Sequence, residues 1–329
     1  MKSILIVTLS NIGDAVLTLP VLAHLADIFP KAKITLLAGP RVIPVYIDDN
    51  RVSELIIYDK HTPLRSKIAL FWELRARKFD LIIDFKNSLI PILLGAKRHT
   101  SFWRKPPKNI VHKQQAHLWK LKSLGLDIDT EKETGPLIWL NPADHDKADQ
   151  YLSEFLLNNN QEQLKIIALA PGAMSHLKRW PIQCFADLAS RLLEETDVDK
   201  IILLGSKAEK VLCAEVEEKI YKSQSEDILN LAGQTTLKEA AALLTKCKFL
   251  VSNDSALMHI AGSIDIPVIA LFGPTDENKY KPLSPNSLVI TNELNCRPCQ
   301  AALCPLKTHE CLQQISADKV FEAILDKHI

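Results

Sequence analysis

A concentrated charge of either sign is missing from these 329 residues: 40 lysines and arginines stand against 39 acids, for a formal net charge of +1. Polyanion recognition normally needs a concentrated basic face, so wholesale nucleic-acid binding is not expected. Long apolar runs are missing too, and no segment offers the roughly 20 uninterrupted apolar residues that would cross a bilayer. MKSILIVTLSNIGDAVLTLP opens with one lysine and an apolar run, but Asn11 and Asp14 interrupt it before any small-residue cleavage site. The expected location is cytoplasmic, with peripheral association at the inner face of the membrane left open. A Walker loop is absent, because no Gly-rich spacing ends in Lys-Ser or Lys-Thr, and SNIGDA is not a full dinucleotide fingerprint. Repeats and low-complexity tracts are absent as well.

The seven cysteines define no simple disulfide framework. Cys184, Cys213 and Cys247 fall in helix-like or strand-like segments and read as small core residues. CRPCQAALCPLKTHEC gathers Cys296, Cys299, Cys304, Cys311 and His309 in one short stretch. A metal or a redox bridge stays open there, but the two compact ligand pairs of a strong zinc signature are not present, so a structural role is expected and no metal is assigned.

A hydrophobic fraction of 47% with 24% charged residues fits a folded soluble chain long enough for two cores. ILIVTLS, KITLLAG, SELIIYD and FDLIIDF read as buried parallel strands. Between the last two, KIALFWELRARKF has an apolar and a basic face. The strand rhythm weakens from Asp127 to Gln163 and resumes at IIALAPGA. We therefore expect an α/β protein of two Rossmann-like domains, residues 1–150 and 151–329, facing one another across a substrate cleft. The final amphipathic segment, ISADKVFEAILDKHI, is free to cover either domain.

Chemistry concentrates where strands end. In FLVSNDSALMHIAGSIDIPVIALFGPTDENK a strand ends at Asn253 and Asp254 and a helix opens at Ser255. Unpaired N–H groups beside short polar side chains favour an anionic ligand at such a turn, here Asp254, Ser255 and Ala256, with His259 one turn further on. His259 reads equally as a buried structural histidine. In APGAMSHLKRWP, Gly172 allows close backbone approach and Lys178 can offset charge on a diphosphate. Asp14 either caps a helix or, facing a hydroxyl, serves as a general base. The stretch AKRHTSFWRKPPKNIVHK carries six cations and no acid; Lys97, Arg98 and Lys113 are its candidate acceptor contacts, with Phe102 and Trp103 beside them.

Taken in order, SNIGDAVLTLP, APGAMSHLKRWP, LLGSKAE, NDSALMHIAG and ALFGPTD resemble glycosyltransferase family 9, the bacterial ADP-heptose:lipopolysaccharide heptosyltransferases. The resemblance covers nearly the whole chain. It implies a GT-B architecture with the acceptor held mainly by the first domain and ADP-heptose by the second. It also implies inverting transfer to an anionic lipopolysaccharide inner-core acceptor, with no cofactor and no metal. By the same resemblance Asp14 matches the catalytic base, Lys178 the lysine near the donor phosphates and Glu209 the ribose-binding acid. Thr235 falls near the adenine pocket, and Asp254, Ser255, Ala256 and His259 match the donor-binding helix entrance. Ala256 departs from the glycine often found there. The cysteine-rich segment is similar to that of second-heptose enzymes. Alternatives are a related transferase using another sugar nucleotide or acceptor, and a non-enzymatic sugar-nucleotide sensor, for which Asp14 would be dispensable.

Overall fold

In the computed structural model, which describes residues 1–101, 103–129, 136–156, 164–282, 284 and 286–327, the chain forms two compact units, Met1–Trp139 and Leu140–Ile329. In the first unit the apolar runs become β1 (Ser3–Val7), β2 (Lys33–Ala38), β3 (Glu54–Ile57) and β4 (Leu81–Asp84). A two-residue β5 (Arg98–His99) completes a parallel sheet of order β3-β2-β1-β4-β5. Ile4 to Val7 are buried because helices cover both faces of a central parallel strand. The chain steps outward from β1 to β3, then returns to the other side of β1 for β4. The carboxyl ends of β1 and β4 therefore flank the point where strand order reverses, the usual place for a ligand in an open parallel sheet.

The stretch read as one helix after β1 is two, Ile12–Val16 and Leu19–Ile28. Pro20 lies in the first turn of the second, where its missing N–H costs nothing, and Thr18 at the junction donates its hydroxyl to the Ala15 carbonyl at 2.7 Å. The segment with two faces forms the helix Leu64–Ala76, of which only Leu74 is fully buried. Leu70, Phe71 and Leu74 join a core with Leu5, Leu37 and Ile82.

The second unit holds β6 (Ile166–Ala170), β7 (Lys200–Leu203), β8 (Ile228–Asn230), β9 (Leu250–Asn253), β10 (Val268–Phe272) and β11 (Leu288–Thr291). They form one parallel sheet of order β11-β10-β9-β6-β7-β8, and its order reverses between β6 and β9. Both units are thus Rossmann-like.

A division at residue 150 would cut the helix Pro142–Leu156, which lies wholly in the second unit and packs against the helix Leu237–Leu244. The sequence reads as a helix leading into β6, but its charge blurs where that helix starts: few positions, among them Ala148 and Leu152, are buried. Residues 130–135 and 157–163 of the expected connection lie outside the described residues. The closing helix Ala317–Lys327 packs on Ile182–Glu195 of the second unit, with Phe321 in the core and the Arg191 guanidinium 3.8 Å from its ring centroid. Arg191 also pairs with Asp318 at 2.7 Å.

Candidate active site

Asp14 stands in the first turn of Ile12–Val16, half-buried beyond the carboxyl end of β1. Its Oδ2 accepts the Asn11 side-chain amide at 3.1 Å, while Asn11, at the N-cap, makes no side-chain cap of its own. Asp14 therefore orients a neighbouring amide, and its other oxygen takes no hydrogen bond among the described residues. Across the reversal point, Asp84 ends β4 and folds the next loop by accepting from the Lys86 and Ser88 N–H groups at 2.8 and 2.6 Å. Lys120, from the helix Lys113–Lys122, donates to the Asp84 carbonyl and to Asn87 Oδ1, both at 2.8 Å. Burial lowers the Lys120 amine below its usual range, and Asp84 opposes that shift.

One turn back on that helix, His117 meets the Phe85 ring edge-on, with centroids 5.0 Å apart. Burial, reinforced by Lys120, Lys113 and His112, pushes His117 down from 6.5 to about 3. Between those values the unfolded chain binds a proton that the folded chain refuses, so stability is present above pH 6.5 and declines as pH falls towards 3. His117→Gln should flatten this part of the acid limb in urea titrations taken across the pH range.

Two of the six cations of the basic stretch are engaged by backbone carbonyls. Arg98 and Arg104 donate to the Leu124 and Ser123 carbonyls, pinning the stretch to the end of the helix Lys113–Lys122. Arg98 also belongs to β5, Lys97 is exposed and Lys113 opens the helix. Trp103 is exposed, and Phe102 lies outside the described residues.

In the second unit the loops after β6, β7, β8 and β9 carry the residues singled out from sequence. Lys178 closes a short 3₁₀ turn, and its Nζ lies 2.7 Å from Oδ2 of buried Asp254. The turn is held from behind by Asn253, which accepts from the Trp180 N–H at 2.9 Å and donates to the Pro171 carbonyl at 2.8 Å. The Trp180 indole in turn donates to the Ile315 carbonyl at 2.7 Å. Asn253 thus ties the β6 loop to the end of β9, a role its sequence position did not announce.

Ser255 is the N-cap of Ala256–Ser263, but its hydroxyl bonds Ser252 Oγ at 3.1 Å and makes no side-chain cap. Ala256 opens the helix half-buried, and His259 is buried within it. Glu209 Oε2 accepts from Ser206 N and Oγ at 2.8 and 2.7 Å. Its carboxylate lies against Gly172, where an added Cβ would fall 2.2 Å from Glu209 Cδ. Thr235 sits half-buried just before Thr236, which caps Leu237–Leu244.

Sequence reading also missed two clamps on these loops. His309 Nε2 donates to the Leu177 carbonyl at 2.5 Å, next to Lys178. The Arg297 guanidinium donates to the Gly273 carbonyl at 2.6 Å and pairs with Glu277 at 3.1 Å. Around them Cys296, Cys299, Cys304 and Cys311 line a cavity of about 350 Å³ as free thiols. No group of three or more potential metal ligands stands together among the described residues. Cys213 and Cys247 are buried and Cys184 half-buried.

A model of glycosyltransferase family 9 (heptosyltransferase) matches residues 67–309. A lipooligosaccharide heptosyltransferase 2 of Campylobacter jejuni is 28% identical over 323 residues, 95% of either chain. A lipopolysaccharide heptosyltransferase 2 of Escherichia coli is 28% identical over 310 residues, 87% of either chain. Among solved structures, the E. coli ADP-heptose lipopolysaccharide heptosyltransferase II matches with a TM-score of 0.75 at 24% identity, covering 99% of this chain and 98% of that one. A family 9 glycosyltransferase from Veillonella parvula matches with a TM-score of 0.81 at 22% identity, covering 99% and 97%.

Proposed function

Because the chain belongs to glycosyltransferase family 9, we propose that it moves heptose from ADP-heptose to a hydroxyl of the lipopolysaccharide inner core with inversion at the anomeric carbon. The enzyme class and the heptosyl chemistry follow its relatives, which are named lipooligosaccharide and lipopolysaccharide heptosyltransferases. The observation that carries the donor assignment is the Lys178–Asp254 pair at 2.7 Å, placed where β6 and β9 part. A cation, a helix entrance without a side-chain cap and a ribose-sized acid on one sheet edge suit a nucleoside diphosphate.

In this reading the acceptor oxygen attacks the anomeric carbon from the face opposite ADP and its proton passes to Asp14. The bond to the diphosphate breaks, and Lys178 with the first-turn N–H groups of Ala256–Ser263 takes up the charge. Only stabilisation that grows along this path raises the rate. Glu209 holds the ribose hydroxyls and Thr235 borders the adenine. Asp254 keeps Lys178 in place, while Ser255, Ala256 and buried His259 shape the phosphate end. Lys97 and Lys113 draw in the anionic acceptor; Arg98 acts from further back through its hold on Leu124. In this reading the reaction runs on the cytoplasmic side of the inner membrane. Separately, no helix among the described residues is long and apolar enough to cross a bilayer.

Mass-spectrometric detection of a heptose-sized mass gain tests the function, using ADP-heptose with core acceptors bearing zero or one heptose. Gain on either acceptor supports the reading and fixes the acceptor class; ADP-heptose binding without transfer to either would sink it.

Gly172→Ala gives a narrower test of the ribose assignment. The new Cβ displaces the flexible end of Glu209 from Ser206, so ADP should bind about tenfold more weakly, as expected for one lost charge-assisted hydrogen bond. Calorimetric titration of ADP into Gly172→Ala and Glu209→Gln should give matching losses. Unchanged ADP affinity in both would remove Glu209 from the site.

A further inference from the structure

The helix Leu64–Ala76 buries only Leu74 fully, yet it is rich in large apolar side chains. Leu64, Ile68 and Trp72 recur every four residues and so lie along one stripe, with exposures of 71, 48 and 60%. The short helix Ile90–Leu94 packs beside it, and Arg75 donates to the Leu93 carbonyl at the junction. Leu89, Ile92 and Leu93 are each more than half exposed. Two neighbouring elements therefore present six large apolar side chains to solvent, more than scattered surface residues account for.

The charge around this patch has one sign. Arg65 and Arg75 fall on the same side of the helix as the stripe, and exposed Lys86 lies three residues before Leu89. Glu73 is the one acid on the helix, and Arg77 engages it at 2.5 Å. Apolar side chains that include a tryptophan, rimmed by arginine and lysine, match the boundary between acyl chains and anionic headgroups. A second copy of the same face would bring cations against cations, which disfavours self-association.

We propose that this face, made of Leu64, Ile68 and Trp72 with Leu89, Ile92 and Leu93, docks the enzyme on the surface of an anionic phospholipid bilayer. The proposal rests on the lipopolysaccharide-acceptor reading for its purpose, since such an acceptor is lipid-anchored. Its placement fits that purpose: the Asp84–Ser88 loop, where Lys120 binds beside the β1–β4 reversal point, runs directly into Leu89.

The test is flotation of the full chain with vesicles of phosphatidylethanolamine and phosphatidylglycerol, and with phosphatidylcholine vesicles. The intact protein should float with the anionic vesicles and much less with the neutral ones. Ile68→Ser combined with Trp72→Ser should cut that partition at least about tenfold, as losing one inserted apolar side chain would, and Arg65→Glu should cut it severalfold. Transfer to a lipid-free core oligosaccharide should be unchanged in each variant, which separates lost docking from lost folding. Equal flotation of intact protein and double variant would overturn the proposal. So would a concentration-dependent dimer in sedimentation that the double variant abolishes, because the face would then belong to a second copy. Should the intact protein transfer no heptose, the functional reading fails, but the vesicle partition still decides this inference.

Discussion

Asp14→Asn should lower kcat by about 10²–10⁴-fold, the usual worth of a positioned general base, while ADP affinity stays within twofold of the intact enzyme. The substitution keeps the shape of the side chain, and an amide oxygen at residue 14 can still accept from Asn11, so the local turn should persist. The acid at this first-turn position contributes at most about 1 kcal/mol to its short helix through the helix dipole. A large kinetic loss therefore cannot be a folding loss. The amide has no lone pair basic enough to take the acceptor proton, so the loss should appear in kcat for both acceptor and donor saturation curves. Single-turnover transfer followed by mass spectrometry is the measurement. Retention of more than a third of the rate would move the base elsewhere on the β1–β4 edge, with the proton going to another group or to water.

Much of this architecture was readable because burial on both faces writes itself into a parallel strand as an unbroken apolar run. ILIV, KITLLA and IIALA each became a parallel strand, and the loops that follow β6 and β9 carry Lys178 and Asp254. What stayed hidden depends on contacts between residues far apart in sequence. Arg98 read as a candidate acceptor contact, yet it pairs in β5 and donates to the Leu124 carbonyl. Asn253 read only as the end of a strand, yet both ends of its amide serve the backbone of the β6 loop. The same holds for His309 and Arg297, which act on carbonyl groups 132 and 24 residues away and so leave no periodic trace. Helix faces misled differently: the segment of Leu64–Ala76 reads as having one apolar and one basic face, and only its Leu70, Phe71 and Leu74 side packs into the core.

Lys178→Ala is the second large effect, an expected loss of about 10²–10³-fold in kcat, comparable with deleting one preorganised group that meets developing charge. Here stability and catalysis change together and must be separated. Asp254 has 7% side-chain exposure against 33% for Lys178, so removing the lysine leaves a nearly buried carboxylate without its cation. That costs on the order of 1–3 kcal/mol, towards the lower end because water reaches the lysine side. Asp254→Asn in the Lys178→Ala background should recover most of this loss, since a neutral amide tolerates burial better than an unpaired charge. It should recover none of the rate, because the diphosphate still departs without a cation. Lys178→Arg keeps the charge but not the compact ammonium, and should retain a rate between the intact enzyme and Lys178→Ala. Urea titration beside transfer kinetics on the four proteins checks the pattern. If Asp254→Asn restored rate along with stability, Lys178 would be a strut for the β6 loop, and the charge on the leaving group would have to be met by the helix entrance alone.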